Sequence, residues 1–120
     1  MDAQGQRRDK EGKRGMKIEA FRAANHPEQF TVTRHGQKRM DQRNITLDDV
    51  ISVIRNGEII EEYPEDFPFP SCLILGKSIF GSPLHTVVSL ENSQIYLITA
   101  YFPNSDEWES DMRTRKDAKP

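Results

Sequence analysis

The sequence predicts a single α+β domain, with two short helices, and a further helix ahead of them, packed on a mostly antiparallel sheet of four to five strands. Three observations predict it. Apolar residues recur at helical spacing from Leu47 to Ile54, and the period shifts toward two after Gly57. Two β-branched runs, Leu84–Leu90 and Ile95–Tyr101, then flank the turn Glu91–Gln94. Helices first and strands afterwards is the order of a fold whose helices share one face of an antiparallel sheet. A chain of 120 residues holds one such core and not two.

Each element has a local cause. Met16 opens a helical pattern in which Ile18 and Phe21 share a face, and it stops near Asn25 because Pro27 drives His26 out of the α region. Phe30–Thr33 alternates like a short strand. Thr33 then caps a helix over Arg34–Arg43, and Asn44 is suited to a left-handed stop. Thr46 and Asp49 resemble a capping box, Leu47, Val50, Ile51 and Ile54 form one apolar stripe, and Asn56-Gly57 closes that helix. Glu58–Tyr63 is a strand ended by Pro64, and Phe67 and Phe69 are expected to cover core from the proline-rich loop after it. Cys72–Leu75 is an apolar strand, and Gly76–Pro83 a loop. Leu47, Val50, Ile51, Ile54, Leu73, Val88, Leu97 and Phe102 are the expected core.

Polar residues collect at the ends. Residues 1–15 carry Met1 and Ala3 as their only apolar side chains and read as a flexible tail, with Arg7, Arg8, Lys10, Lys13 and Arg14 either solvated or available to phosphate. Residues 104–120 carry only Trp108, Met112 and Ala118, so the domain is expected over 16–108 and a polar tail over 109–120. The longest apolar-leaning run is the eight residues Ile95–Phe102, too short to cross a membrane, and no signal peptide is expected at the charged start. One cysteine, Cys72, excludes an internal disulfide and suits the cytoplasm. The net charge of -2 gives no global attraction to nucleic acid. Locally the charges separate into Arg34, Lys38, Arg39 and Arg43 on one segment and Glu58, Glu61, Glu62, Glu65 and Asp66 on another.

The run Thr33-Arg34-His35-Gly36-Gln37-Lys38-Arg39-Met40-Asp41-Gln42-Arg43-Asn44-Ile45-Thr46 resembles the opening of a small bacterial domain-of-unknown-function family, His-Ala-x-x-Arg-Met-x-x-Arg-Gly-Ile-Ser/Thr. The likeness continues through Asp49-Val50, Gly57–Glu61 and Leu84–Val88 to Thr99-Ala100-Tyr101 and Trp108. Gly36 stands where the family has Ala, and Asn44 where it has Gly. The layout is similar to the RelE/ParE/BrnT-type toxins, in which RelE- and BrnT-like members cleave RNA and ParE-like members poison DNA gyrase. The resemblance thus implies an RNA target, endoribonuclease chemistry without a cofactor, and a small antitoxin partner. The alternative is a non-catalytic interaction module or a housekeeping protein.

Metal-independent RNA cleavage needs a base for the 2′-hydroxyl, an acid for the leaving oxygen and cations around the phosphorane. His35, Arg39 and Arg43 step by four along one helix and span about 80° of it, with Arg34 and Lys38 alongside. A first-turn position disfavours imidazolium at His35, which suits a general base. His85 is the candidate acid, with Tyr96 or Tyr101 as alternates, and Arg34, Lys38 and Tyr101 are the candidate substrate-binding residues. The competing reading is structural: Arg39 or Arg43 bonded to Glu61 or Glu62 to fix packing. His26, His35 and His85 lack metal-ligand spacing, Cys72 reads as core, and Gly76-Lys77-Ser78 lacks the rest of a phosphate loop.

Overall fold

A computed structural model describes residues 15–116, so the tail expected over 1–15 lies outside the described residues apart from Gly15, as do residues 117–120. Three helices and five strands form an α+β domain: α1 (Ile18–Ala23), β1 (Phe30–Val32), α2 (Arg34–Arg43), α3 (Leu47–Asn56), β2 (Glu58–Tyr63), β3 (Ser71–Lys77), β4 (Pro83–Glu91) and β5 (Gln94–Tyr101). The sheet is open, in the order β1-β5-β4-β3-β2. β2, β3, β4 and β5 pair antiparallel, while β1 lies parallel to β5, so the sheet is mixed. No hairpin constrains β1, because the whole helical pair and three strands separate it from its partner.

The helices end where their own residues end them. Thr33 Oγ1 accepts from Gly36 N–H at 2.9 Å, and Asn44 takes the left-handed conformation at φ 58° to stop α2. Thr46 and Asp49 complete a capping box on α3, and the second oxygen of Asp49 accepts from Ile79 N–H at 3.1 Å. At the far end of α3, the Arg22 guanidinium of α1 donates to the carbonyls of Ile54 and Gly57 at 2.9 and 2.7 Å. A cation there satisfies carbonyls that the helix itself leaves free.

The helices pack on one sheet face, where Met40, Val50, Val53 and Ile54 meet Cys72, Ile74, Val88, Leu97 and Ala100. Val50, Ile54, Leu73, Val88 and Leu97 are buried as expected, while Leu47 and Ile51 are half-buried. Phe102 is not core: it lies one residue past β5 and stays 43% exposed. Phe67 does not cover core either, being 94% exposed, whereas Phe69 packs on Tyr96 with ring centroids 5.3 Å apart. The chain bends over residues 67–69, so the two rings do not share a side.

A bulge in β5 sets which residues meet on the other face. The turn residues Asn92 and Ser93 both have positive φ, and the register from Glu91↔Gln94 runs regularly to Val88↔Leu97. Val87 then pairs with Thr99, so Ile98 is the extra residue and His85 stands opposite Tyr101. This second face carries Glu61, Tyr63, Leu73, His85 and Tyr101, and the chain beyond β5 returns to cover it. Trp108 is 1% exposed and bridges to Arg115, and Lys116 N–H donates to Glu107 O at 2.9 Å. The segment 109–116, polar in sequence, is therefore hydrogen-bonded into a closed turn, with Asp111 accepting from Arg113 and Thr114 N–H.

Candidate functional site

The α2 helix presents a basic face to solvent. Arg34, His35, Lys38 and Arg39 are all exposed, because Gly36 and Met40 are the residues that face the sheet. Arg39 Nε donates to His35 Nε2 across 3.4 Å. In that contact Nε2 is the acceptor, the role it can fill when the ring proton sits on Nδ1. Asp41, the one acid of the helix, accepts instead from Gln37 Nε2 at 2.9 Å. Among the described residues the ion pairs are Arg113–Glu58 and Arg115–Glu61, so no carboxylate neutralises this face.

The two charge blocks do not pair with each other. Arg43 Nη1 donates to Ala100 O at 2.8 Å and to Thr99 Oγ1 at 3.4 Å, which pins its guanidinium to the end of β5. Glu61 is held instead by Arg115 through two bonds of 2.8 and 3.1 Å, and by Tyr63 Oη–H at 2.7 Å. The guanidinium holds the Glu61 carboxyl below the usual carboxylate range, while burial and then Glu61 itself push the Tyr63 phenol up. Arg115 also stacks over Trp108, 4.6 Å from the ring centroid.

His85 is fully buried behind this cluster. Its Nε2 lies 2.7 Å from Met112 O, and a carbonyl only accepts, so Nε2 carries the proton. Nδ1 is then the acceptor for Tyr101 Oη–H at 3.3 Å. Trp108 and Tyr101 meet the ring edge to face at 4.5 and 5.2 Å. Burial pushes the imidazole below its ordinary value of 6.5, which keeps it neutral. The Cys72 thiol is likewise pushed up to about 12 by burial, consistent with a packed and unreactive side chain.

The candidate residues therefore fall into two groups. His35, Arg39, Arg34 and Lys38 share the open face of α2. Arg43 and Tyr101 meet at a groove with Phe102, Asn104 and Glu107, and His85 stands behind Tyr101 on the sheet face away from the helices. Eight residues of helix rise separate His35 from Arg43 by about 12 Å, so one phosphate does not reach both. Phe102 and Glu107 were not legible as site residues, because the bulge and the turn that gather them leave no period in the sequence. A second cleft, of about 460 Å³, lies between the end of α3 and the C-terminal segment. Its Glu58 is already paired with Arg113. Among the described residues no three His, Cys, Asp or Glu side chains gather to hold a metal ion, and no helix is long and apolar enough to cross a membrane.

The family model described as "Domain of unknown function (DUF4258)" matches residues 32–102, from the end of β1 to the groove residue Phe102. No curated protein and no solved structure matches the chain.

Proposed function

The chain belongs to the DUF4258 family, and on that footing we propose that it binds RNA through the basic face of α2, as a domain of RelE/BrnT-like toxin layout. The observation that carries this reading is the His35–Arg39 pair, exposed and free of any carboxylate among the described residues. Burying arginines in internal ion pairs would have consumed that charge; here it is presented to solvent, where phosphate is the matching ligand. Arg34, Lys38 and Arg39 neutralise the backbone, and His35 is the base for the 2′-hydroxyl in metal-independent cleavage. A small antitoxin protein covering the same face is the partner this reading implies, and the cytoplasm is its place of action.

A second reading, a non-catalytic interaction module, is favoured by one specific observation. His85, the candidate acid, is sealed behind Trp108 and Met112, which leaves His35 without an imidazole partner. The two readings separate in one experiment on labelled single-stranded RNA with a chelator present. Binding together with cleavage, both weakened in Arg39→Ala and the cleavage abolished in His35→Ala, supports the ribonuclease. Binding without cleavage supports the module, and no binding at low salt overturns RNA as the ligand.

A further inference from the structure

The groove at the end of β5 has a composition that the basic face of α2 does not explain. It is an open groove of about 540 Å³, lined by Arg43, Tyr101, Phe102, Asn104 and Glu107. Phe102 is a large aromatic ring left 43% exposed beside a cation. Arg43 spends one nitrogen on Ala100 O and Thr99 Oγ1, and the other guanidinium donors remain for a ligand. Glu107 is set by a rigid turn. Asn104 Oδ1 accepts from Asp106 and Glu107 N–H at 2.9 and 3.1 Å, Asn104 O accepts from Trp108 N–H at 3.1 Å, and the next side chain, Trp108, is locked in the core.

We propose that this groove takes one unstacked base of a single-stranded RNA, with guanine preferred, while the neighbouring phosphates run along α2 from Arg43 toward Arg39 and His35. The proposal rests on the RNA reading of α2 and names its substrate more closely. An exposed aromatic ring beside a guanidinium is the combination that stacks a free base and holds its phosphate, and a paired base in a duplex does not reach it. The selectivity comes from Glu107. A carboxylate only accepts hydrogen bonds, and guanine is the base whose pairing edge sets two donors, N1–H and the N2 amino group, side by side. The other bases place an acceptor next to each donor there, which would face the carboxylate with like charge. The α2 stripe begins where the groove ends, since Arg43 belongs to both, and its length of about 12 Å fits a strand of a few nucleotides.

The test is fluorescence anisotropy at low salt with labelled five-residue RNAs, UUGUU against UUAUU, UUCUU and UUUUU, and with a duplex of the first. The expected result is preference for UUGUU by about 5- to 150-fold, the range of a bidentate base pairing, and weaker binding of the duplex. Phe102→Ala should weaken UUGUU by about 5- to 150-fold, the range for removal of one stacking ring, and Glu107→Gln should erase the guanine preference. Both side chains are exposed, so an unchanged melting temperature checks that each variant is folded. If Arg39→Ala weakens binding while Phe102→Ala and Glu107→Gln bind as the parent does, the groove proposal is overturned and the α2 reading stands. If no oligonucleotide binds, both are overturned. Displacement of UUGUU by guanosine monophosphate at equal affinity would overturn the strand, because the phosphates along α2 would then contribute nothing.

Discussion

His85 Nε2 donates to the carbonyl oxygen of Met112, 2.7 Å away and 27 residues later in the chain. That bond fastens the C-terminal segment across the sheet face that the helices leave open, with Trp108 packed edge to face on the same imidazole. The burial that results fixes the protonation state of the ring and makes its titration a report on the docking of the segment.

Stability should therefore fall on mild acidification. Burial lowers the His85 pKa from 6.5, so between that value and the folded one the unfolded chain binds more protons. The contribution is whole above pH 6.5 and is lost as pH falls through the folded value. Denaturant midpoints at about pH 7.5 and about pH 5.5 should differ, by at most about 1.4 kcal/mol per pH unit. His85→Gln keeps an N–H for Met112 and removes the titration, so it should flatten the fall. An unchanged slope in that variant would assign the effect to another group. Glu61, lowered chiefly by its bond to Arg115, acts in the same direction but only as pH falls below 4.5.

Trp108 should matter far more than the arginine stacked on it. Trp108→Ala removes a fully buried ring and should cost about 3–5 kcal/mol in urea unfolding. The Arg115 side chain is 42% exposed, and Arg115→Ala should cost at most about 1 kcal/mol. Comparable losses would mean that the ion pair with Glu61, not the ring, holds the segment down.

Two glycines should respond differently to a methyl group. At Gly76 an added Cβ would stand 2.6 Å from Val53 O and 2.8 Å from Asn56 Oδ1, because α3 lies directly on β3. Gly76→Ala should destabilise by about 1–3 kcal/mol. At Gly36 the nearest atoms are Thr33 Oγ1 at 3.0 Å and Ile98 O at 3.3 Å. There the helix propensity gain of about 1 kcal/mol offsets the crowding, so thermal melting of Gly36→Ala should stay close to that of the parent.

Exposed His35 and Arg39 should be dispensable for folding. His35→Ala and Arg39→Ala should melt as the parent does, within about 0.5 kcal/mol. For Arg39→Ala the logarithmic salt dependence of RNA binding should fall by about one unit, because one phosphate is no longer neutralised. A marked drop in melting temperature would point to a packing role that the exposed positions do not indicate.

Much of the helical half was legible because its signals are local. Thr33 and Asn44 bound α2 through a side-chain cap and a left-handed residue, and Thr46 with Asp49 starts α3, all within four residues of the bonds they make. The β4–β5 hairpin was equally plain from its alternation and turn. The candidate site was less so. A regular hairpin would place Ala100 opposite His85, and the bulge at Ile98 brings Tyr101 there instead.

The sequence by itself determined which segments are helix or strand, that the helical pair precedes the four antiparallel strands, and that α2 carries a stripe of positive charge. Those properties follow from side-chain period, capping chemistry and turn residues, which act over a few positions. Only the tertiary structure decided what the charges meet. Glu61 found Arg115, 54 residues away, rather than Arg39 or Arg43, and His85 was sealed in while Phe102 was left open. The physical reason is that burial and pairing of this kind depend on the return of the chain after β5. One register shift and one anchoring tryptophan direct that return, and neither leaves a periodic mark in the sequence.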